Sequence, residues 1–306
     1  MNNTHVCILM ATYNGAAHLD AQLDSIRAQS HENWSLWVSD DNSTDATRDR
    51  VRAFGETVAQ PVHLLDGPRA GCGANFLSLL RHPDLPAGSF MALCDQDDVW
   101  FHGRLARALD LLRLSQGAAL YASRTQIGQA PDGPRRLSPR HHKAPSLANA
   151  LIQTIGGGNT MVLTPDAATL VRRSSAAQVP AFHDWWLYQF IMCVGGQVIY
   201  DDQPSLFYRQ HDENTLGRNR GFAARYARLG TIAGGQYRGW VDANLAALND
   251  DKALFTPEAR AVLDRFTHLR EKVGLRRLLE WRRLGLHRQR SAETALMALA
   301  ATMGRV

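Results

Sequence analysis

The chain has 306 residues, 45% of them hydrophobic and 21% charged, with a formal net charge of +5 and a pI of about 9.2. This is an ordinary globular composition, large enough for one big domain or one domain with an appendage, and it excludes disordered, fibrous and collagenous classes. No apolar run approaches the roughly 20 residues of a membrane span, Met1–His5 lacks the basic and apolar regions of a signal peptide, and Cys7, Cys72, Cys94 and Cys193 lack metal or redox spacing. A cytoplasmic protein with reduced thiols is the expectation.

Val6–Ala11 is a near-continuous apolar run, as in a strand buried on both faces of a parallel sheet. It ends in Thr12-Tyr13-Asn14-Gly15, a turn whose glycine is suited to positive φ. Leu19, Leu23 and Ile26 follow at helical spacing. Trp34–Val38 reads as a second strand and runs into Ser39-Asp40-Asp41-Asn42-Ser43-Thr44-Asp45, ahead of a helix over Ala46–Phe54. Acids at a strand end can hydrogen-bond a nucleobase N–H or a ribose hydroxyl; equally, Ser43 or Asp45 can cap the helix. Pro61–Leu65 gives a third strand. The glycines of the following loop allow close backbone approach to a ligand, and Arg69 could meet a base or phosphate. Asn75 could cap a helix over Phe76–Arg81.

The most informative stretch is Phe90-Met-Ala-Leu-Cys-Asp95-Gln96-Asp97-Asp98-Val-Trp100. A short buried strand breaks into three carboxylates, at the place where open α/β sheets bind ligands. Asp95 and Asp97 would share one face of an extended chain. Three acids this close repel one another unless a cation neutralises them, and oxygen ligands favour Mg²⁺ or Mn²⁺ over zinc. The competing reading makes Asp97 or Asp98 the cap of a helix over Trp100–Leu114. Four strands alternating with helices form a doubly wound α/β half.

Leu120–Ile127 is a further strand. The loop over 128–146, with four prolines, three arginines and His141-His142, reads as mobile surface. Gly156-Gly157-Gly158-Asn159 is a small-residue turn feeding another strand. In Pro180-Ala-Phe-His183-Asp184-Trp185-Trp186, an acid between an imidazole and two indoles is poorly solvated, which suits proton abstraction; a helix cap fits the same residues. Gly196–Asp202 is a strand, and Arg209 and His211 share one face if extended. From Gly221 onward the pattern is helical. Between Arg276 and Arg290 stand six arginines against Glu280 alone, interleaved with Leu275, Leu278, Leu279, Trp281, Leu284 and Leu286. Such a helix can lie on an anionic membrane or pack on the catalytic domain with a solvated arginine face. No helix-turn-helix, zinc-finger or RNA-binding signature accompanies the basic charge, so nucleic acid is the weaker partner.

Val6–Gly15, Ser39–Asp45 and Cys94–Trp100, in that order, resemble family 2 glycosyltransferases of the GT-A fold, a mostly parallel Rossmann-like α/β sheet. The resemblance implies a nucleotide pocket of Ala11, Thr12, Tyr13, Asp40, Asp41, Arg69, Asp95 and Gln96. By the resemblance Asp95 approaches the ribose and Asp97 the Mg²⁺ or Mn²⁺; on an extended chain Arg209 and His211 could meet the diphosphate and metal from the opposite side. It implies a donor and acceptor space of Asp98, Trp100, Gly157, Gly158, Asn159, His183, Trp185 and Arg209. It further implies Asp184 as the general base of an inverting displacement. Many members have Glu-Asp where this chain has His183-Asp184. His183–Trp186 and Tyr208–His211 resemble rhamnosyltransferase-like members, which implies dTDP-L-rhamnose as donor and a lipid-linked glycan such as O-antigen as acceptor. Residues 1–218 are expected to form the catalytic domain, with a nucleotide half to about 115 and an acceptor half beyond it. Residues 219–306 form a helical appendage with peripheral membrane contact on the cytoplasmic side. A nucleotidyltransferase, which would want a Gly-rich loop with Arg or Lys after strand one, and a non-catalytic basic membrane- or nucleic-acid-binding protein are the rival readings.

Overall fold

The computed structural model describes residues 4–175, 177–210 and 234–306. The chain divides into two compact units. The first comprises Met1–Arg140, Gly156–Ser174 and Gly196–Gln210; the second comprises His141–Ile155, Ser175–Gly195 and His211–Val306. The boundary expected near residue 218 therefore gives way to an interleaved division: helix His183–Cys193 groups with the C-terminal helices.

The first unit is built on one nine-stranded sheet. Strands β1 (Val6–Thr12), β2 (Trp34–Asp40), β3 (Val62–Asp66) and β4 (Phe90–Cys94) are parallel, in the order β3-β2-β1-β4. Every residue of β1 and β2 is buried, which is why these strands read as apolar runs rather than alternating ones. Helices α1 (Ala16–Arg27), α2 (Thr47–Gly55) and α3 (Cys72–Leu80) connect them. The helix after β3 starts at Cys72 rather than Phe76, because Gly71 takes φ 86° as its N-cap. Asn75 is therefore inside the helix, where its amide donates to Ser39 O at 2.8 Å.

After β4 the chain forms a short strand, β5 (Val99–Trp100), and helix α4 (Arg104–Leu112) begins only at Arg104, with Gly103 as its N-cap. No acid of the Asp95–Asp98 cluster caps that helix. The sheet continues through β6 (Ala119–Gly128), β7 (Arg136–Leu137), β8 (Val162–Leu163) and β9 (Gln197–Arg209), with β8 antiparallel between β4 and β6, and β9 parallel to β6. β5 closes the far edge, antiparallel to β9. The proline-rich loop after β6 is anchored at several points: β7 pairs with β6, Arg124 donates to Ser138 O, and Arg140 Nε meets Asp202 at 2.6 Å.

The second unit is helical. His183–Cys193 is buried on nearly every side and is surrounded by Leu147–Ala150, Gln236–Asp250 and Pro257–Glu271. Phe190 meets Phe255 edge-on, and Asn244 bridges Ala181 N and the Gln189 side chain. Gly274–Arg283 and Ser291–Thr302 pack on each other at its end. No helix among the described residues is long and apolar enough to cross a membrane.

Candidate active site

The carboxyl ends of β1, β2, β3 and β4 bring the expected nucleotide residues to one edge of the sheet. Asp40, the last residue of β2, is buried and fully engaged: it accepts from Thr12 Oγ1 (2.9 Å), Ser43 N (2.9 Å), Ser43 Oγ (2.6 Å) and Arg48 (3.4 Å). Burial alone would raise its pKa, but the Ser43, Thr12 and Arg48 bonds outweigh that and hold it below the usual carboxylate value. Asp41 is likewise committed, accepting from the N–H of Arg69 (2.5 Å) and Gly71 (2.8 Å). These two acids tie the ends of β1 and β2 and the loop after β3 into one rim. Arg69 itself is exposed, in a left-handed conformation (φ 58°). It lines a polar cavity of about 140 Å³ with Asp40, Asn42, Ser43, Arg48 and Asp66.

The turn after β1 takes positive φ at Asn14 (46°), not at Gly15. Gly15 serves close approach instead: a Cβ there would run into Gln96 Oε1. That amide clamps Tyr13, accepting from its N–H at 2.9 Å and donating to its carbonyl at 3.0 Å. Tyr13 stands 57% exposed beside the rim. Asp45 accepts from both Ala16 N and Thr47 N, satisfying the first turns of α1 and α2 together.

Asp95, Asp97 and Asp98 follow β4, and one oxygen of each lies within 4.8 Å of the others. Asp95 and Asp97 are partly exposed, whereas Asp98 is fully buried. Burial first, then the charges of Asp95 and Asp97, push the Asp98 pKa well up. Asn159 Nδ2 donates to Asp98 at 2.5 Å and Arg209 N at 3.4 Å. Arg209 Nε donates to Asp97 O at 3.0 Å, which places the guanidinium beside the acids. The geometry fits a hard divalent cation, since three oxygen donors converge and two remain accessible. Asn159 is therefore turned inward on Asp98 and not toward open space. Gly157 and Gly158 form the start of its 3₁₀ turn; a Cβ at Gly157 would meet Asn159 Oδ1 at 2.6 Å. Trp100 is also buried, 3% exposed, so it supports the site from below rather than lining it.

One residue escaped the sequence reading. Arg104, 1% exposed, stacks its guanidinium 4.1 Å from the Trp100 ring centroid and donates to Ser205 Oγ and Leu93 O. Burial pulls its pKa down to about 10, so it remains a cation behind the acids. The signal was its helical spacing with Ala108 and Leu112, which puts an arginine on the apolar face of α4.

In the second unit, Asp184 lies in the first turn of its helix, half-buried, and accepts from Trp185 N at 2.6 Å. The N-cap position is Phe182, so Asp184 is not the cap. His183 keeps its Nε2 buried, and desolvation pulls its pKa down to about 4, leaving it neutral near pH 7. Trp185 faces the interior of this unit, with Nε1 donating to Ala150 O at 2.6 Å. His211 lies outside the described residues.

A mixed, mostly parallel α/β sheet with a rim of backbone-tied acids and a carboxylate trio after its fourth strand places the protein in the GT-A class. The chain belongs to glycosyl transferase family 2, whose family model matches residues 7–178. It is 31% identical to the dTDP-rhamnosyl transferase RfbG of Shigella flexneri over 249 residues, 79% of this chain and 85% of that one. Solved structures share the fold. S. aureus TarS 1-349 in complex with UDP has TM-score 0.53 and 14% identity, over 99% of this chain and 89% of that one. The mannosyltransferase PcManGT from Pyrobaculum calidifontis in complex with GDP-Man and Mn²⁺ has TM-score 0.51 and 18% identity, over 98% and 86%.

Proposed function

We propose that this glycosyltransferase is a divalent-cation-dependent, inverting enzyme that moves L-rhamnose from dTDP-rhamnose to a hydroxyl of a lipid-linked surface glycan such as O-antigen. The observation that carries the cation and donor reading is the carboxylate trio at the end of β4, beside Arg209. Asp97 would hold Mg²⁺ or Mn²⁺, Asp95 would approach the ribose, and Ala11, Thr12, Tyr13, Asp41 and Arg69 would enclose the nucleotide. When bound, the cation supplies charge stabilisation for the departing diphosphate. Gln96 holds the Tyr13 backbone, and Asp40 holds the β2 end with no lone pair to spare for a base. Asp184 would accept the proton of the acceptor hydroxyl as that oxygen attacks the anomeric carbon. The rhamnose assignment is supported by the likeness to RfbG.

The test is calorimetric titration of dTDP, UDP and GDP, each with and without Mn²⁺, on wild type and Asp97→Ala. Preferential, Mn²⁺-dependent binding of dTDP that Asp97→Ala loses is the expected result. Binding of UDP or GDP in its place would sink the rhamnose donor, and no metal dependence would sink the role of the trio.

A further inference from the structure

Six of the ten large hydrophobic side chains exposed among the described residues lie between residues 273 and 303: Val273, Leu275, Leu279, Leu296, Leu299 and Met303. Leu275 is 78% exposed and Met303 63%. At about 100° per residue, Leu275 and Leu279 form one stripe of helix Gly274–Arg283. Arg282 flanks that stripe on one side, and Arg276 and Arg283 flank it on the other; all three are exposed. Trp281 and Arg277 take the opposite, buried face. In helix Ser291–Thr302, which packs against the first, Leu296, Leu299 and the adjoining Met303 again share one stripe.

The arginine cluster is thus not a single solvated face. Arg277 is buried and donates to Val306 O, and Arg288 is held by Glu293 and Ile152 O. Arg276, Arg282, Arg283 and Arg290 are exposed.

We infer that this face of the second unit docks on an anionic phospholipid surface. Charge complementarity selects that occupant. A second copy of the chain would set arginine-flanked stripes against each other, and like charges repel. An anionic bilayer matches both components: leucines enter the acyl boundary while arginine stems run along them to the headgroups. The apolar stripes are short, so contact is peripheral and reversible. The inference deepens the lipid-linked acceptor reading, because a transferase held at the bilayer meets such an acceptor in two dimensions, but its physical basis is independent of the donor.

The test is co-sedimentation of the full chain with vesicles of phosphatidylglycerol and phosphatidylethanolamine, or of phosphatidylcholine alone, at low and high salt. Wild type should sediment with the anionic vesicles, leave them in high salt, and stay soluble with phosphatidylcholine. An arginine near an anionic surface contributes a factor of about five, so R276Q/R282Q/R283Q should partition on the order of a hundredfold more weakly. Leu275→Ser with Leu279→Ser should weaken it at least about tenfold, with nucleotide affinity unchanged in both variants. Wild type remaining in the supernatant, equal binding to both vesicle types, or self-association that the leucine variant abolishes while vesicle binding persists would overturn the inference. Failure of wild type to bind dTDP with vesicle binding intact would instead sink the dTDP-rhamnose reading alone.

Discussion

Asn159 donates its side-chain amide to the buried carboxylate of Asp98 at 2.5 Å, across 61 positions of sequence. The pair joins the turn before β8 to the acid cluster after β4. Asn159→Ala leaves Asp98 buried with the longer Arg209 N–H bond alone of these two donors. A cost of about 1–3 kcal/mol follows, read as a fall of several degrees in melting temperature. Asn159→Asp sets a second carboxylate against the first, and its larger loss should be relieved at low pH, where the pair can take up protons.

Two glycines at the rim separate folding from binding. The atoms nearest a Cβ at Gly15 belong to the end of the Gln96 side chain, which can swing aside. Gly15→Ala should therefore shift stability by less than about 1 kcal/mol while releasing Tyr13 and weakening nucleotide binding. A Cβ at Gly67 meets Asp40 O and Asp41 Oδ1 at 2.9 Å, in a tied rim. Gly67→Ala should cost about 1–3 kcal/mol. Chemical denaturation alongside nucleotide titration distinguishes the two; equal stability losses would contradict the contrast.

His183 gives a pH dependence of fixed sign. Burial lowers its folded pKa to about 4 from the ordinary 6.5. As pH falls through this window, the unfolded chain takes up a proton that the folded chain does not, so stability declines from pH 6.5 toward pH 4. His183→Asn should flatten that part of a denaturation-midpoint profile. An unaltered slope would show that other groups set it.

Asp184 is the residue on which turnover is expected to hang. Asp184→Asn preserves shape and the Trp185 N–H acceptor, so folding and nucleotide binding should persist. Turnover on an acceptor glycan should fall by about 10²–10⁴. Activity within a few-fold of wild type would remove Asp184 from the chemistry.

Much of the first unit was legible because its signals are local. Val6–Ala11 and Phe90–Cys94 are apolar runs because both faces of β1 and β4 are covered. The acids after them stand out against those runs. What could not be read depends on distant partners. Trp100 looks like the start of a helix, yet it and Val99 pair with Leu206 and Phe207 more than a hundred residues later. Asp40 resembles a ligand-binding acid, and only the fold shows its oxygens taken by Thr12, Ser43 and Arg48. Arg277 belongs by sequence to a solvated cluster, and packing buries it.

Strand β9 carries a consequence for how this lineage can diverge. Ser205 accepts from Arg104, Phe207 pairs with Val99, and Arg209 reaches Asp97 and Asp98, all within five residues of one strand. Irregular register against β6 is already absorbed where Arg124 stands opposite Pro204. One residue inserted between Pro204 and Ser205 would turn the Ser205 and Arg209 side chains to the other face and shift the Phe207–Val99 register at once. Residues 129–135 hold no such contacts to the acids and can lengthen or shorten. Insertions and deletions are thus channelled into the β6–β7 connection, while β9 is left to change by substitution alone.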